Sequence, residues 1–291
     1  MIRTVLVTAL APIVWGTVYF VTTEFFPSDR PFLVGALRAL PIGLLIVAAY
    51  RQLPSGLWWW RAGVLGFLNI GLFFALLFFA AYRLPGGIAA TVVAMQPLFV
   101  ALLAWNVLAQ KPTIVTVGAA LSGIAGVGLI VLEPDAALDA WGLIASLGAA
   151  LSMAAGTVFA RRWPSPVALL LSTGWQLVAG GLLLGALAWI VEGMPPAFTV
   201  RNGVGILYLA VVATGLAYLL WFRGVKQLGV SVSFLILLSP VAAITLGSFV
   251  LDERLGQIQI AGIIVVIASI AAGQWDSQRA APAASSIPPR G

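Results

Sequence analysis

The chain has 291 residues, 62% hydrophobic and 8% charged, where soluble domains carry about 25% charged residues. So little charge cannot cover a water-soluble globule of this size, and the composition is that of an integral membrane protein. With no cysteine and no histidine, disulfides, thiol catalysis and imidazole-based metal or proton chemistry are excluded; the net charge of +6 is no nucleic-acid signal, because in a membrane the placement of Lys and Arg matters more than their sum.

A helix needs about 20 mostly apolar residues to cross the hydrocarbon core, and cutting the apolar runs at charges and Pro/Gly turns predicts ten such spans. Span one covers 4–23; it runs into "TTEFFPSD" with no small-residue cleavage site, so it is a retained span and not a signal peptide. Span two covers 32–50 and contains Arg38. Span three, 62–82, follows "LWWWR". Span four, 87–108, holds the adjacent pair Gln96 and Pro97. Span five, 113–132, carries Gly118, Ser122 and Gly126 at a small-xxx-small spacing that packs helices. Spans six to ten cover 141–160, 166–190, 203–222, 229–251 and 256–274. The connections are short and leave no room for a soluble domain. The Pro/Ser/Ala-rich tail from Asp276 is expected to be disordered.

Placing both termini in the cytoplasm puts ten bases inside (Arg3, Arg51, Arg61, Lys111, Arg161, Arg162, Arg223, Lys226, Arg279, Arg290) and four outside (Arg30, Arg83, Arg201, Arg254). That is the asymmetry of the positive-inside rule, and losing one span would destroy it. Tryptophans at span ends, in "LWWWR" and at Trp141, Trp163 and Trp275, fit an interfacial belt.

A shift of 143 residues lays "LLFFAAYRLPGGIAATVVAMQPLFVALLAWNVLAQKPT" over "LLWFRGVKQLGVSVSFLILLSPVAAITLGSFVLDERLG" without a gap. Arg83 meets Lys226, Gly86 meets Gly229, Pro97 meets Pro240 and Gln96 meets Ser239. "WGTVYF" of span one likewise lies over "AGTVFA" of span six. Each half then has five spans, an odd number, so the second half enters the membrane from the opposite side. The expected fold is all-α, ten transmembrane helices in two inverted repeats, with residues 1–133 and 134–275 as the repeats and 276–291 as a cytoplasmic tail. Inverted repeats belong to secondary transporters, because two similar halves can exchange conformations and so expose one site to either side.

Two five-span halves, with "APIVWGTVYFVTTEFFP", "PFLVGALRALPIGLLI" and "SPVAAITLGSFVLDERLGQIQIAGIIVVIAS", resemble the drug/metabolite transporter superfamily and its EamA-type exporters. The aromatic-rich, acid-poor interior is most similar to the YddG-type amino acid exporters. The first half departs from the pattern, with "LAQKPT" where the family has an acidic residue, as in "LDERLG". The resemblance implies a central cavity between spans one, three, four, six, eight and nine.

Within the spans, Arg38 is the only charged side chain well inside. It is either a carboxylate receptor or an arginine that ties span two to its neighbours; the resemblance, which puts Arg here across substrates of different charge, favours the second reading. Asn69, Gln96 and Gln176 are interior amides, able to bind both ammonium and carboxylate or simply to bridge helices. The aromatic residues Trp15, Tyr19, Phe73, Phe78, Tyr82, Phe99 and Trp163 can offer stacking surface; Tyr82, Trp163 and Trp221 are expected near cavity mouths or in the interfacial belt, and Ser239 is the counterpart of Gln96. Pro97 and Pro240 have no N–H for the carbonyls four residues back, on Val93 and Ile236, which makes them, with Gly86 and Gly229, candidate hinges. No Asp, Glu or His lies in a span interior, so a carboxylate proton relay is not expected; Glu24, at the end of span one, is the one acid near enough to serve.

The reading is a multi-pass carrier of the bacterial inner membrane, monomeric or homodimeric, exporting small amphiphilic metabolites by alternating access. Aromatic and other neutral amino acids stand foremost as substrates. No cofactor, metal or nucleic acid is expected, only substrate and lipid. A multidrug or nucleotide-sugar carrier stays open as the alternative, although nucleotide sugars need several interior cations. A membrane-embedded enzyme lacks nucleophiles and carboxylates, and a channel would show no competition between substrates.

Overall fold

A computed structural model describes residues 2–26, 30–84, 86–131, 139–194, 197–251 and 256–280. Helices and their connections make up these residues, and no strand occurs among them. Six spans are continuous apolar stretches long enough to cross a bilayer: Ile2–Phe25 (one), Pro31–Tyr50 (two), Trp58–Ala81 (three), Ala140–Arg162 (six), Leu169–Glu192 (seven) and Val200–Leu228 (eight). The other four spans are helical at their expected places. Span five is Ile114–Val131 and span ten Gln257–Ala280, while span four is split into Gly86–Val93 and Gln96–Leu108, and span nine into Gly229–Leu237 and Leu238–Leu251. The starts obey local chemistry. Pro31 occupies the first turn of span two, where its missing N–H costs nothing. Asp139 caps span six by accepting from the Gly142 N–H at 2.7 Å.

Contacts between connections sort the chain ends into two faces. On one, the connections after spans one, three, five and seven meet. Arg201 pairs with Glu24 at 2.9 Å, Arg83 lies 3.6 Å from Asp139, and Glu192 accepts from the Phe32 and Leu33 N–H groups at 2.6 and 2.9 Å. On the other, Arg161 Nη1 donates to Lys226 O at 3.1 Å and Trp175 Nε1 to Gln52 O at 2.9 Å. There too, Thr113 and Thr116 donate to the Asp276 carboxylate, the second at 2.6 Å. These bonds hold the last turns of span ten, which continues as helix to Ala280, into the segment expected to be tail. Residues 281–291 lie outside the described residues, as do Asp252, Glu253 and Arg254.

Packing follows the repeat. Span two packs along span seven, and span five along span ten, so each of these helices lies against its own counterpart. Span one packs on spans eight and nine, just as span six packs on spans three and four. This exchange of partners is what a two-fold relation between the halves requires. Within span five, Gly118 has nothing within 4 Å of a built Cβ and Ser122 bonds back to Gly118 O, so that pair faces away from span ten. The close approach uses Gly126, which would meet Gly262 O at 3.0 Å, and Gly123, which would meet Ser269 Oγ at 2.7 Å.

Both prolines do more than kink their spans. The chain turns at Ala94 and Met95 and starts a new helix at Gln96, which places Pro97 in a first turn. In span nine a 3₁₀ segment from Gly229 gives way to α-helix at Leu238, so Pro240 is also in a first turn. A first turn is where a residue without an N–H is tolerated. Gly229 joins span eight to span nine at φ +69°, a left-handed value that favours glycine, and Gly86 opens the first helix of span four.

Spans three and eight each widen into a π-helix at matched places. Phe67–Leu72 and Tyr208–Leu216 overlap when shifted by 143 residues. Such turns are rare and frequently found at functional sites. In each span a carbonyl of the wide turn serves the opposite repeat: Leu68 O accepts from Ser152 Oγ at 2.7 Å, and Ala213 O from Trp15 Nε1 at 3.0 Å.

Candidate functional site

A cavity lies where spans one, two, three, four and nine meet. Trp15 and Tyr19 come from span one, Arg38 from span two, and Phe73 and Leu77 from span three. Span four gives Ala90, Val93 and Ala94, and span nine gives Ile236, Ser239 and Pro240. Val93 and Ile236, whose carbonyls the prolines cannot serve, thus both reach its wall. Spans six and eight, expected around the cavity, do not line it, and span two takes a place there.

Arg38 governs the polarity of the site. It is buried, its Nε donates to Thr214 Oγ1 at 2.6 Å, and its Nη2 donates to Ala213 O at 2.8 Å. The guanidinium carbon sits 4.2 Å from the centre of the Phe74 ring and 5.9 Å from that of Phe78. The wide turn of span eight makes this possible, since the Ala217 N–H bonds to Val212 O and Thr214 O and passes over Ala213 O. Arg38 therefore does tie span two to span eight, as one sequence reading had it. Yet no carboxylate is paired with it among the described residues, and its hydrogen bonds leave Nη1 without a partner there. A guanidinium of this kind, at the wall of a cavity, attracts an anionic group strongly because little water screens it.

Trp15 lines the cavity. Its ring lies 5.2 Å from both Tyr218 and Trp221, so its position is fixed by packing as well as by its bond to Ala213 O. Trp221, expected near a cavity mouth or in the interfacial belt, is fully buried in this cluster.

The remaining candidates are dispersed. Asn69 is fully buried and donates to Gln176 Oε1 at 3.0 Å, while Tyr218 donates to Asn69 O at 3.0 Å. It is seated against Gly156, where any Cβ would collide with its side-chain amide. Asn69 and Gln176 thus act as a bridge between spans three and seven. Phe78 is buried beside Phe74, and Phe99 packs on the cluster of Val100, Ala104, Ala154 and Val158. Tyr82 lines a broad depression with Arg83 and Glu192, and Trp163 lines a third cavity on the opposite face.

Gln96 is fully buried and does not line the central cavity; neither its Nε2 nor its Oε1 has a partner among the described residues. An unsatisfied buried polar group costs about 1–3 kcal/mol. Gln96→Leu is therefore expected to raise the unfolding midpoint in detergent, measured by the fluorescence of a thermal ramp. A fall would show that the amide is satisfied in the resting protein.

Sequence reasoning missed Leu77, Ala90 and Thr214. The first two are apolar in an apolar chain and carry no signal. Thr214 is the counterpart of Gly71 at the 143-residue shift, and a hydroxyl against a glycine in a repeat was a readable asymmetry.

The profile of the EamA-like transporter family matches residues 2–132 and matches again over residues 140–272. The chain is 43% identical over 263 residues to Protein PecM of Dickeya dadantii, which covers 89% of this chain and 88% of that one. It is 27% identical over 267 residues to the uncharacterized inner membrane transporter YedA of Escherichia coli K12, covering 89% and 86% of the two chains. A solved crystal structure 20% identical in sequence superposes with a TM-score of 0.78 over 96% of this chain and 99% of the other, a likeness of fold.

Proposed function

This chain belongs to the EamA-like transporter family, and we propose that it exports small amphiphilic metabolites, aromatic and other neutral amino acids foremost. It is a multi-pass membrane transporter and not an enzyme. In this reading it lies in the inner membrane with both termini in the cytoplasm, and its two repeats, residues 1–133 and 134–275, rock against each other to open alternate faces. The observation that carries the substrate class is the central cavity, where one guanidinium without a counter-anion stands among Trp15, Tyr19 and Phe73. A carboxylate satisfies Arg38, and an aromatic or aliphatic side chain fits the apolar remainder. The Ser239 hydroxyl is the polar group best placed to meet an ammonium.

No carboxylate or imidazole lines the cavity among the described residues, so transport in this reading is downhill and does not run through a proton relay. A multidrug carrier is the second reading, supported by the largely apolar wall. Nucleotide sugars fit poorly, because Arg38 is the cavity's single cation among the described residues. Purified protein in proteoliposomes tests all three. Efflux of labelled phenylalanine should be inhibited by other neutral amino acids and not by lipophilic cations, and an imposed pH gradient should not drive it uphill. Inhibition by the cations alone would overturn the amino-acid reading.

A further inference from the structure

We propose that the cavity on the Lys226 face is a second binding site, for an amphiphile with an aromatic or aliphatic body and a carboxylate. It lies between spans three, six, seven and eight and shares no lining residue with the central cavity. Trp58, Trp163 and Phe222 form an aromatic wall. That wall is rigid: Trp163 stacks on Phe159 at 4.9 Å, and the Arg61 guanidinium lies 5.7 Å from the Trp58 ring and 5.8 Å from the Trp163 ring. Inside are the buried Ser172 and Gln176. Gln176 is engaged with Asn69 and with Ser172 O, but the Ser172 hydroxyl makes no hydrogen bond among the described residues. At the rim are the exposed Lys226 and Arg161, the latter held by its bond to Lys226 O.

The repeat supplies an internal control. Phe222, Val225 and Lys226 are the counterparts, 143 residues on, of Phe79, Tyr82 and Arg83, which line the depression on the opposite face. The two hollows are therefore mates, built by the same helix ends. Their charges differ. Opposite, Arg83 has Asp139 at 3.6 Å and Glu192 stands in the wall. Here no carboxylate is among the lining residues, so two bases converge on a hollow with aromatic walls and no anion. A ligand carboxylate completes that arrangement, and the adjoining rings take its apolar body. The ligand class follows from this lining alone and does not depend on what the central cavity carries.

The test is equilibrium binding of phenylacetate to the full-length protein in phosphatidylcholine nanodiscs, with phenylacetamide as the uncharged control. Phenylacetate should bind, and the amide at least about fivefold more weakly. Lys226→Gln and Trp163→Ala should each weaken phenylacetate by about five- to tenfold, whereas Arg201→Gln, a base of the opposite face, should leave it unchanged. Equal binding of acid and amide, or insensitivity to both variants, overturns the proposal. So does loss of phenylacetate binding when phosphatidylglycerol replaces phosphatidylcholine, since the occupant is then a lipid headgroup. Each measurement is repeated on Arg38→Ala, which removes the cation of the central cavity: binding that persists there and falls with Lys226→Gln belongs to this site, whereas binding lost with Arg38→Ala alone overturns the proposal, so failure of the transport reading and failure of this site are told apart.

Discussion

Arg38→Ala is expected to abolish saturable transport while leaving a folded protein, and Arg38→Lys is expected to restore little of it. The arginine does two things at once. It bonds Thr214 Oγ1 and Ala213 O and lies over Phe74, which fixes span two against spans three and eight. It also supplies the cation of the central cavity. Hydrogen bonds to charged groups contribute about 1.5–3 kcal/mol each. A carboxylate that loses such contacts binds about 10- to 100-fold more weakly. Lysine keeps the charge but is a point donor without the planar fork that reaches Thr214 and Ala213 together. The two roles separate in measurement: half-saturation in proteoliposomes reports the ligand contact, and the unfolding midpoint reports the tie between helices. Wild-type half-saturation in both variants would remove Arg38 from the site.

The second large effect is expected at Gly16. A Cβ built there stands 2.5 Å from Ser239 O, 2.8 Å from Ala242 Cβ and 2.9 Å from Ala243 N. Two of these are backbone atoms of span nine, so no side-chain rotation relieves the clash. Even Gly16→Ala must push span one away from span nine, beside Trp15, Ser239 and Pro240 of the cavity wall. Transport should fall by at least about tenfold, with an overpacking cost of about 1–3 kcal/mol, and Gly16→Leu should fail to accumulate in the membrane. Gly63→Ala, with nothing within 4 Å of the added carbon, is the control expected to behave as wild type. Normal transport by Gly16→Ala would mean that the two spans are not in contact during the cycle.

The spans and their repeat were legible because hydrophobic length and the matched basic, Gly and Pro landmarks are one-dimensional signals. Arg38 was legible for the same reason, since a charge in an apolar run marks itself. The amides were not. Gln96 and Asn69 were chosen as amides in spans three and four, Gln96 also for its proline neighbour, but which face of a helix meets the cavity depends on rotation and on neighbours such as Gly156. Trp221 was expected near a cavity mouth or in the interfacial belt and is buried against Trp15 instead; the wide turn before it was not readable from spacing. The small-xxx-small phrase in span five was real as a pattern, but Gly118 and Ser122 share one face and Gly123 and Gly126 make the contact.

The wide turns of spans three and eight have a consequence for reading any sequence of this design. A π-turn holds one residue more than an α-turn, so every side chain beyond it is rotated by about 100° from the direction an unbroken helix would give. The periodicity of each span therefore changes phase half-way along. In span eight that phase shift sets the direction of Tyr218 and Trp221, which close on Trp15. A chain one residue shorter in this turn would turn the same two rings away from Trp15, with the composition of the span almost unaltered.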